Sequence, residues 1–341
     1  MKKLKHIAAT VFSIMLIELS HAQDPSFSQF FSSPLNVNPA LTANINEDWR
    51  VISNMRDQWI GPASPYATGS ISFDSKILQN KIPNVSDKNV FGIGGMLMYD
   101  DVMYGVVQST YAGINLSYNL LLAEDFYGNK HRLGIGFGEN YGRRFVDFSK
   151  LNFQEQFTGT GFNTNLPTGE AALINMKPYF SSNIGMLYTY KTEKSNLDIG
   201  GAVYHLNKPK QTFLADPNQF LPMRDVVHVN YERFLSETLV LNSNAIYQYQ
   251  GGASYFSVGG ALGFYLEDDG STILNLGLWY WSKNAVIPYV GMVYNNFQFG
   301  LSYDATISKL NQAAVKPTTW ELSLIIRGTH KPPGVIPCPW K

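Results

Sequence analysis

Apolar and polar side chains alternate along most of the chain. In VFGIGGMLMYD (90–100), aromatic and aliphatic residues fall mainly on one face, and glycine and methionine fall on the other. The stretches RLGIGFGENYG (132–142), YFSVGGALGFYL (255–266) and TWELSLIIR (319–327) repeat the pattern. A period of two residues, with one apolar face and one small or polar face, indicates β-strands.

About fourteen such segments run through the chain, and turn residues such as Gly251-Gly252 and Asn295-Asn296 separate them. Most segments are about ten residues long, which is the length that a tilted strand needs to cross a bilayer. The predicted strands are 48–58, 65–74, 89–100, 106–119, 131–142, 178–190, 196–206, 225–234, 238–250, 253–266, 272–282, 284–294, 296–304 and 318–327.

Composition narrows the fold class. Only 15% of the residues are charged, against about 25% in an average soluble domain, and the chain holds 20 tyrosines, 21 phenylalanines and 29 glycines. A soluble β-sandwich or barrel would need outer faces rich in lysine and glutamate, whereas these strands offer glycine, serine and asparagine. The sequence therefore predicts an all-β protein, a transmembrane antiparallel up-and-down β-barrel of about 14 strands.

The first residues are predicted to be a secretory signal peptide. Lysines lie among residues 1–5, an apolar run covers 7–17, and Ser20-His21-Ala22 places small residues before the cleavage site. The expected parts are a signal peptide over 1–22, an N-terminal plug or mouth segment over 23–46, the barrel over 47–328 and a periplasmic C-terminal tail over 329–341. With an even number of strands, both termini are expected in the periplasm, and the longest connections, 143–177 and 207–224, are expected to face outward.

The stretch QDPSFSQFFSSPLNVNPALTA (23–43) fits neither a strand nor a flexible linker. Its prolines hold extended backbone, which cannot lie in lipid but can lie inside a barrel. Glycine- and serine-rich strand faces near 92–98, 134–140 and 257–263 leave room for it. We expect the stretch to plug or line the barrel and to offer a docking surface to periplasmic partners. The candidate residues are Phe27, Phe30, Phe31, Pro34, Asn36, Asn38 and Pro39.

Candidate catalytic and metal-binding chemistry is sparse. His131, His205, His228 and His330 stand apart in the sequence, and Cys338 is the single cysteine. The chain has no GxSxG or HExxH motif, and the glycines of GIGFGENYG follow a strand rhythm that does not suit a dinucleotide-binding turn. A Ser–His or Asp–His constellation could be assembled only in space. The sequence predicts a non-enzymatic protein without cofactor or metal, and the lack of long basic runs argues against nucleic acid as a partner.

A family resemblance lies in several stretches of the sequence, which follow one another along nearly the whole mature chain. They are DPSFSQFFSSPLNVNPALTA (24–43), MRDQW (55–59), YATGSISFD (66–74), LDIGGAVYHLNKP (197–209), FGLSYDATISKL (299–310), WELSLIIRG (320–328) and PCPW (337–340). Together they resemble the PorP/SprF family of Bacteroidota outer-membrane proteins. The family usually continues its opening motif with Pro-Ala-Tyr/Phe and glycine, whereas Leu41-Thr42-Ala43 follows Pro39-Ala40 in this chain.

The resemblance implies a barrel of the type IX secretion and gliding motility system that assists the export or surface anchoring of a large, adhesin-like client protein. The implied partners are outer-membrane lipid, the exported client and periplasmic components of the secretion system. Family members pair with different clients, so the client of this chain stays open. The candidate client contacts on the outward loops are Phe153, Phe157, Phe162, Phe213 and Phe220.

One other function stays open. NVNPA (36–40) is similar to an Asn-Pro-Ala element of fatty-acid channels, so an outer-membrane transporter of hydrophobic small molecules is the alternative. An open porin would need charged rings in the lumen. The luminal candidates are mostly Gly, Ser and Asn, with Arg50 and Arg56 on one face of the first strand, which argues against a wide ion-selective pore. The aromatic residues expected at the membrane interfaces are Trp49, Trp279, Trp281, Tyr289 and Trp320.

Overall fold

The computed structural model describes residues 24–61, 64–79, 88–170, 175–211, 218–267 and 271–329, so the predicted signal peptide, Phe213 and Cys338 lie outside these ranges. Within them, fifteen strands form one antiparallel sheet. The strands are β1 (Trp49–Ile60), β2 (Tyr66–Ile77), β3 (Val90–Val102), β4 (Val107–Glu124), β5 (Lys130–Val146), β6 (Tyr179–Lys191), β7 (Ser195–Tyr204), β8 (Arg224–Ser236), β9 (Leu239–Gln250), β10 (Ala253–Tyr265), β11 (Thr272–Trp281), β12 (Ala285–Tyr294), β13 (Phe297–Tyr303), β14 (Ala305–Thr306) and β15 (Thr318–Gly328).

The sheet closes into a barrel. Successive strands pair with each other, and β15 pairs with both β13 and β1. The two-residue β14 continues β13 along β12, so the wall has 14 strand positions. Each of the predicted strands overlaps one of the long observed strands, and the predicted fold class is confirmed.

The two ends of the barrel differ. At the end named here the terminal end, β1 begins beside the last residue of β15, with Trp49 opposite Gly328. The other end, named the loop end, carries the longest connections, over 147–178, 205–223 and 304–317. These are the connections after β5, β7 and around β14, as the sequence predicted. That the loop end faces the cell exterior stays a prediction.

The alternation in the sequence becomes an apolar outer surface and a polar interior. Leu97 and Ile114 point outward and expose 58% and 64% of their surface, whereas Asn115 and Asn183 are buried in the interior. A soluble domain shows the reverse arrangement, with apolar side chains inside. An apolar exterior around a polar lumen is the arrangement of a transmembrane barrel.

The aromatic residues of β11 and β12 correct one prediction. Trp279, Trp281 and Tyr289 are buried inside the barrel and do not lie at a membrane interface. Aromatic residues occupy both faces of β11, so the sequence pattern could not separate inner from outer positions. The outward position of Leu278 places both tryptophans inside, while Trp320 of β15 does face outward.

Helical structure is limited to single turns. The α-helix found in the described residues is α1 (Pro34–Val37), and 3₁₀ turns cover Phe30–Ser32, Pro39–Leu41, Phe148–Lys150, Gln154–Gln156 and Lys309–Gln312. Among the described residues, no helix has the length and apolarity that crossing a bilayer requires. Three of the turns follow one another in the N-terminal region and set the path that it takes.

Candidate functional site

Residues 24–46, named here the luminal segment, lie inside the barrel. At the loop end, the backbone N–H of Asp24 donates to Oε1 of Gln250, the last residue of β9, over 2.8 Å. At the terminal end, Lys76 Nζ donates to the carbonyl oxygen of Asn46 over 2.9 Å. Nearly every residue from 27 to 43 is buried. The segment therefore runs the full length of the lumen.

This path corrects the expected starting point of the luminal segment. Because the segment precedes β1, the sequence predicts that it begins at the terminal end, where β15 also finishes. Instead, Asp24 lies at the loop end and Gly328 lies at the terminal end. The reason is that the chain crosses the lumen once before β1 begins. The expectation that the segment begins at the terminal end is therefore wrong, and the periplasmic position of both chain termini stays a prediction.

Aromatic side chains pack the luminal segment against the wall. Phe31 stacks on Trp279 with ring centroids 4.7 Å apart and meets Tyr289 edge-on at 5.6 Å. Phe30 is buried in the same cluster, and Phe27 packs in a second cluster that includes methionines of β3. Burial of Phe27 and Phe30 stabilises the packing by about 1.5–3 kcal/mol for each ring, and the half-buried Phe31 contributes less. The tryptophan that sequence analysis assigned to the membrane interface is therefore part of the contact with the segment.

Asn38 fixes the middle of the segment. Its Oδ1 accepts the backbone N–H of Ala40 at 2.8 Å and caps the turn that begins at Pro39. Its Nδ2 donates to the carbonyl oxygen of Met186 on β6 at 2.9 Å and lies 3.0 Å from His228 Nε2 on β8. One side chain thus forms hydrogen bonds with both the local turn and the barrel wall.

Pro34 and Asn36 shape the part of the segment nearer the loop end. Pro34 begins α1, where the missing N–H of proline costs little. Asn36 Nδ2 donates to the carbonyl oxygen of Pro25 at 3.3 Å, and the carbonyl oxygen of Asn36 accepts a bond from Arg224 NH2 at 3.0 Å. The turn therefore folds the segment back on itself and ties it to β8.

Two strand glycines let the segment approach the wall. A Cβ atom on Gly136 of β5 would overlap the backbone of Pro39 and Ala40, and one on Gly185 of β6 would overlap Asn38 Oδ1. Glycine is required where two backbones approach this closely. The glycine-rich face that the sequence indicates near 134–140 therefore lies under the middle of the segment.

We expect Gly136→Ala to displace the luminal segment from the wall, because the added methyl group would need the space that the Pro39–Ala40 backbone occupies. The matched control is Gly69→Ala on β2, since a Cβ atom there meets nothing within 4 Å. Limited proteolysis of the folded barrel in membranes should cleave residues 24–46 faster in Gly136→Ala than in the wild type or in the control. Equal cleavage rates in all three proteins would contradict the close contact.

A buried ionic cluster ties the segment to β1 and β15. Arg56 NH2 lies 2.8 Å from Asp304 Oδ2, and Arg56 Nε lies 3.7 Å from Glu321 Oε2. Glu321 accepts the backbone N–H groups of Ser28 and Gln29 at 2.7 and 2.9 Å, and Ser28 Oγ donates to Asp304 at 2.7 Å. Because the charged groups of the cluster are almost wholly removed from water, each charge depends on its partners.

Arg50 forms a second ion pair near the terminal end. Its Nε and NH2 donate to the two carboxylate oxygens of Asp74 at 2.9 and 2.8 Å, in the bidentate geometry that strengthens such pairs. Asp74 also accepts the backbone N–H of Ala43 at 2.7 Å. Arg50 and Arg56 thus both lie inside the barrel, and both are used to hold the luminal segment in place.

Asp24 anchors the segment at the loop end. Its Oδ2 lies 2.7 Å from His205 Nε2 and 3.4 Å from Arg224 Nε. Burial by itself raises the pKa of Asp24, but the charges of His205 and Arg224, with hydrogen bonds from His205 and Gln250, outweigh burial and hold that pKa well below its usual value. The carboxylate is therefore ionised at neutral pH, where it can pair with the guanidinium group of Arg224.

His205 connects Asp24 to a serine. Its Nδ1 lies 2.6 Å from Ser181 Oγ, so the three side chains follow the order that acid, base and nucleophile have in serine hydrolases. Ser181 is wholly buried, however, and a nucleophile must be accessible to its substrate. We interpret the three residues as a hydrogen-bonded anchor. Across the described residues, no group of three His, Cys, Asp or Glu side chains is placed to hold a metal ion.

The acidic anchors of the segment are not among the residues that the sequence pattern indicated. For Glu321 a signal existed, because this acidic residue lies on the polar face of β15, and β1 carries Arg56 on its own polar face. The two are direct cross-strand partners, but this follows only once the barrel closes β15 onto β1. Asp24, Asp74 and Asp304 had no distinguishing local pattern.

The candidate client contacts lie on the connections at the loop end. Phe157 and Phe162 pack against each other with ring centroids 5.2 Å apart and expose about half of their surface. Phe153 is half-buried, and Phe220 is exposed beside Lys210. Their contact with a client stays a prediction, and Phe213 lies outside the described residues.

A cavity lies at each end of the filled lumen. The cavity at the loop end has a volume of about 1050 Å³ and is lined by residues that include Tyr255, Trp281 and Lys309. The cavity at the terminal end has a volume of about 580 Å³, and its lining includes Lys76 and Lys191. The luminal segment lies between these two vestibules and contributes to the lining of both.

These features define the class of protein as an outer-membrane β-barrel whose lumen is occupied by its own N-terminal segment. The particular family follows from the sequence comparison. The family model described as type IX secretion system membrane protein PorP/SprF matches residues 19–326, and the chain belongs to this family. The resemblance found in the separate sequence stretches is thereby confirmed.

Solved structures of low sequence identity share the barrel fold. The TodX monoaromatic hydrocarbon channel deltaS2 mutant is 8% identical with a TM-score of 0.51, over 88% of this chain and 94% of that chain. The toluene transporter TbuX of Ralstonia pickettii is 10% identical with a TM-score of 0.46, over 87% and 94%. CdiB from Acinetobacter baumannii is 8% identical with a TM-score of 0.42, over 82% and 60%. At this sequence identity, the likeness to the TodX mutant shows the fold alone. No curated protein matches the chain significantly.

Proposed function

We propose that this protein is a non-enzymatic accessory barrel of the type IX secretion system, which assists the export or the surface anchoring of a large, adhesin-like client protein. The observation that carries the proposal is the luminal segment, which occupies the barrel from Asp24 at the loop end to Asn46 at the terminal end. A barrel filled in this way is suited to binding proteins at its two ends and is poorly suited to conducting a large client through its lumen.

The two ends of the barrel would then bind different partners. The loop end, with its long connections and the exposed pair Phe157 and Phe162, suits contact with a client at the cell surface. The terminal end, where the luminal segment joins β1, suits contact with periplasmic components of the system. This assignment requires that the loop end faces outward, as is usual for barrels with long loops at one end.

The alternative, a transporter of hydrophobic small molecules, is less well supported. Such a transporter needs an apolar route or pocket, and ligand pockets usually measure about 300–1,000 Å³. The cavity between the luminal segment and the wall has a volume of about 120 Å³, and its lining includes Arg50, Asp198 and His228. The lining also contains apolar side chains such as Phe30 and Leu41, but the volume is too small for a hydrophobic ligand.

Deletion of residues 152–168 tests the proposed client contact. The deleted part is largely self-contained, because Gln156 Nε2 donates to the carbonyl oxygen of Leu166 and Phe157 pairs with Phe162. We expect the barrel to assemble normally while the client is lost from the cell surface or released into the medium. Surface proteomics of cells with the deletion, compared with the wild type, measures the loss. Unchanged surface retention of every type IX client would rule out this loop as the contact.

Two matched double variants test whether the exposed aromatic pair, and not the rest of the loop, makes the contact with the client. Phe157→Ser with Phe162→Ser alters the exposed pair at the loop end, and Phe126→Ser with Tyr127→Ser alters an even more exposed aromatic pair in the turn at the terminal end. The first double variant should release the client, and the second should retain it at the surface. Release by both would indicate a general effect of removing exposed aromatic residues.

A further inference from the structure

A carboxyl group lies on the lipid-facing side of the barrel wall. Glu139 is near the centre of β5, a strand of 17 residues. It lies two and four residues from Phe137 and Ile135, so its side chain points to the same side of the strand as theirs. Ile135 and Phe137 expose 53% and 51% of their surface on the outside of the barrel. The glycines at 134, 136 and 138 occupy the luminal positions between them. Glu139 is therefore an acidic residue within the apolar outer surface.

Glu139 has little compensation from its own chain. Ser182 of β6, its cross-strand partner, donates a hydrogen bond from Oγ to Glu139 Oε2 at 2.8 Å. Across the described residues, no lysine or arginine lies within ion-pair distance of this carboxyl group. An ionisable side chain that faces acyl chains is costly, and such residues are usually paired and functional. The position therefore calls for a partner group from outside the chain.

The surface around Glu139 has the shape of a docking groove. A groove of about 670 Å³ extends across β2 to β6, with Gly95 and Ala112 among its small residues and exposed side chains such as Leu97 and Phe180 along its sides. Small residues between larger ones allow close packing of two membrane-embedded elements. The groove thus offers shape complementarity in addition to the carboxyl group of Glu139.

We propose that this groove binds an apolar, membrane-spanning segment of a different protein, and that the segment carries a lysine or arginine at the depth of Glu139. An acyl chain could fill the groove but could not pair with the carboxyl group. A second copy of this chain is disfavoured as the occupant of the groove, because a two-fold dimer through this face would place the two grooves against each other. Glu139 is the only charged residue among the described residues that line the groove, so two acids would then meet.

Site-specific photo-crosslinking in native outer membranes tests the proposal. A photoreactive amino acid replaces Leu97 at the groove or, as the matched control, Leu278 on β11, which is also an outward leucine and is 57% exposed against 58%. We expect a discrete protein adduct from position 97 and none from position 278. The crosslinked peptide should belong to a membrane-spanning segment that contains a lysine or arginine.

Substitutions of Glu139 show whether the adduct depends on the acid. Glu139→Leu should reduce the yield of the adduct about fivefold or more, because the basic group of the partner would lose its counter-charge. Glu139→Asp should retain most of the adduct. The isolated Glu139→Leu barrel should resist heat at least as well as the wild type, because leucine suits the lipid face. A merely structural role for Glu139 predicts the opposite change in heat resistance.

Several results would overturn the proposal. They are an adduct with lipid only, an adduct between two copies of this chain, no adduct at position 97, or an adduct whose yield Glu139→Leu leaves unchanged. None of these measurements depends on client export, so the proposed docking groove can fail while the proposed secretion function holds, and the reverse is equally possible.

Discussion

Deleting residues 24–41 is expected to make cells sensitive to large antibiotics. The deletion removes the anchors at Asp24, Ser28 and Asn38, together with the aromatic rings that pack against Trp279. Without the luminal segment, a barrel of this size would enclose a continuous water-filled path. The inhibitory concentration of vancomycin should therefore fall roughly tenfold. Antibiotic sensitivity and surface display of the client are measured in the same cells. The client should also stay inside if the segment serves as a docking site.

For antibiotic sensitivity, the matched control is the removal of residues 152–168, which has a similar length and affects only a surface connection. The wild type is the control for surface display, because the removal of 152–168 is itself expected to release the client. Assembly of both barrels is checked by their shift in gel mobility on boiling. If the Δ24–41 barrel assembles while permeability and secretion stay unchanged, the segment is neither a plug nor a docking site. If it fails to assemble, Gly136→Ala disturbs the same contact with every residue of the segment still present.

Replacing Glu321 by alanine is expected to give the largest loss of stability for a single substitution in the lumen. The carboxylate pairs with Arg56 and accepts two backbone N–H groups from the luminal segment. Removal of one partner from a buried ion pair costs about 3–5 kcal/mol. Arg56 keeps Asp304 as a partner, but the buried backbone N–H groups of Ser28 and Gln29 lose their acceptor. Urea unfolding of the detergent-solubilised barrel, followed by tryptophan fluorescence, measures the change in the free energy of unfolding.

Two further variants serve as controls for the stability of Glu321→Ala. Glu237→Ala removes an exposed glutamate from the turn between β8 and β9 and should change the free energy of unfolding by no more than about 0.5 kcal/mol. Glu321→Gln keeps a carbonyl acceptor for one backbone N–H but lacks the charge, so its stability should lie between those of the wild type and Glu321→Ala. A loss for Glu321→Ala as small as that for Glu237→Ala would show that Arg56 and Asp304 suffice to hold the segment.

The strands were predictable because alternation is a local property. A strand in a barrel wall has lipid on one side and the lumen on the other, so its two faces differ in composition at every second residue. Leu97 and Asn183 could be assigned to their faces from the sequence pattern alone. The pattern failed at Trp279 and Trp281, because Trp279 stacks on Phe31 of the luminal segment and Trp281 packs on Tyr255 inside the barrel. Both faces of β11 are therefore apolar.

The site was only partly predictable. The prolines and asparagines of 23–43 indicated a segment within the barrel, and the aromatic and asparagine candidates do lie there. Its direction was predicted wrongly, because the side on which a segment starts depends on how far it runs before the first strand. The contacts of Asp24 with His205 and Arg224 join residues that are about 180 or more positions apart in the chain, which no local pattern can indicate.

The sequence by itself determined the all-β class, the positions of the strands, the apolar outer surface and the presence of an irregular N-terminal segment that cannot lie in lipid. These properties follow from side-chain periodicity and from the backbone restrictions of proline. Only the tertiary structure decided that the segment crosses the whole lumen, that Glu321 and Arg56 face each other, and that Glu139 pairs with Ser182 within the largely apolar outer wall. Each of these depends on the closure of β15 onto β1 or on the register between strands, which bring together residues that are distant in the sequence.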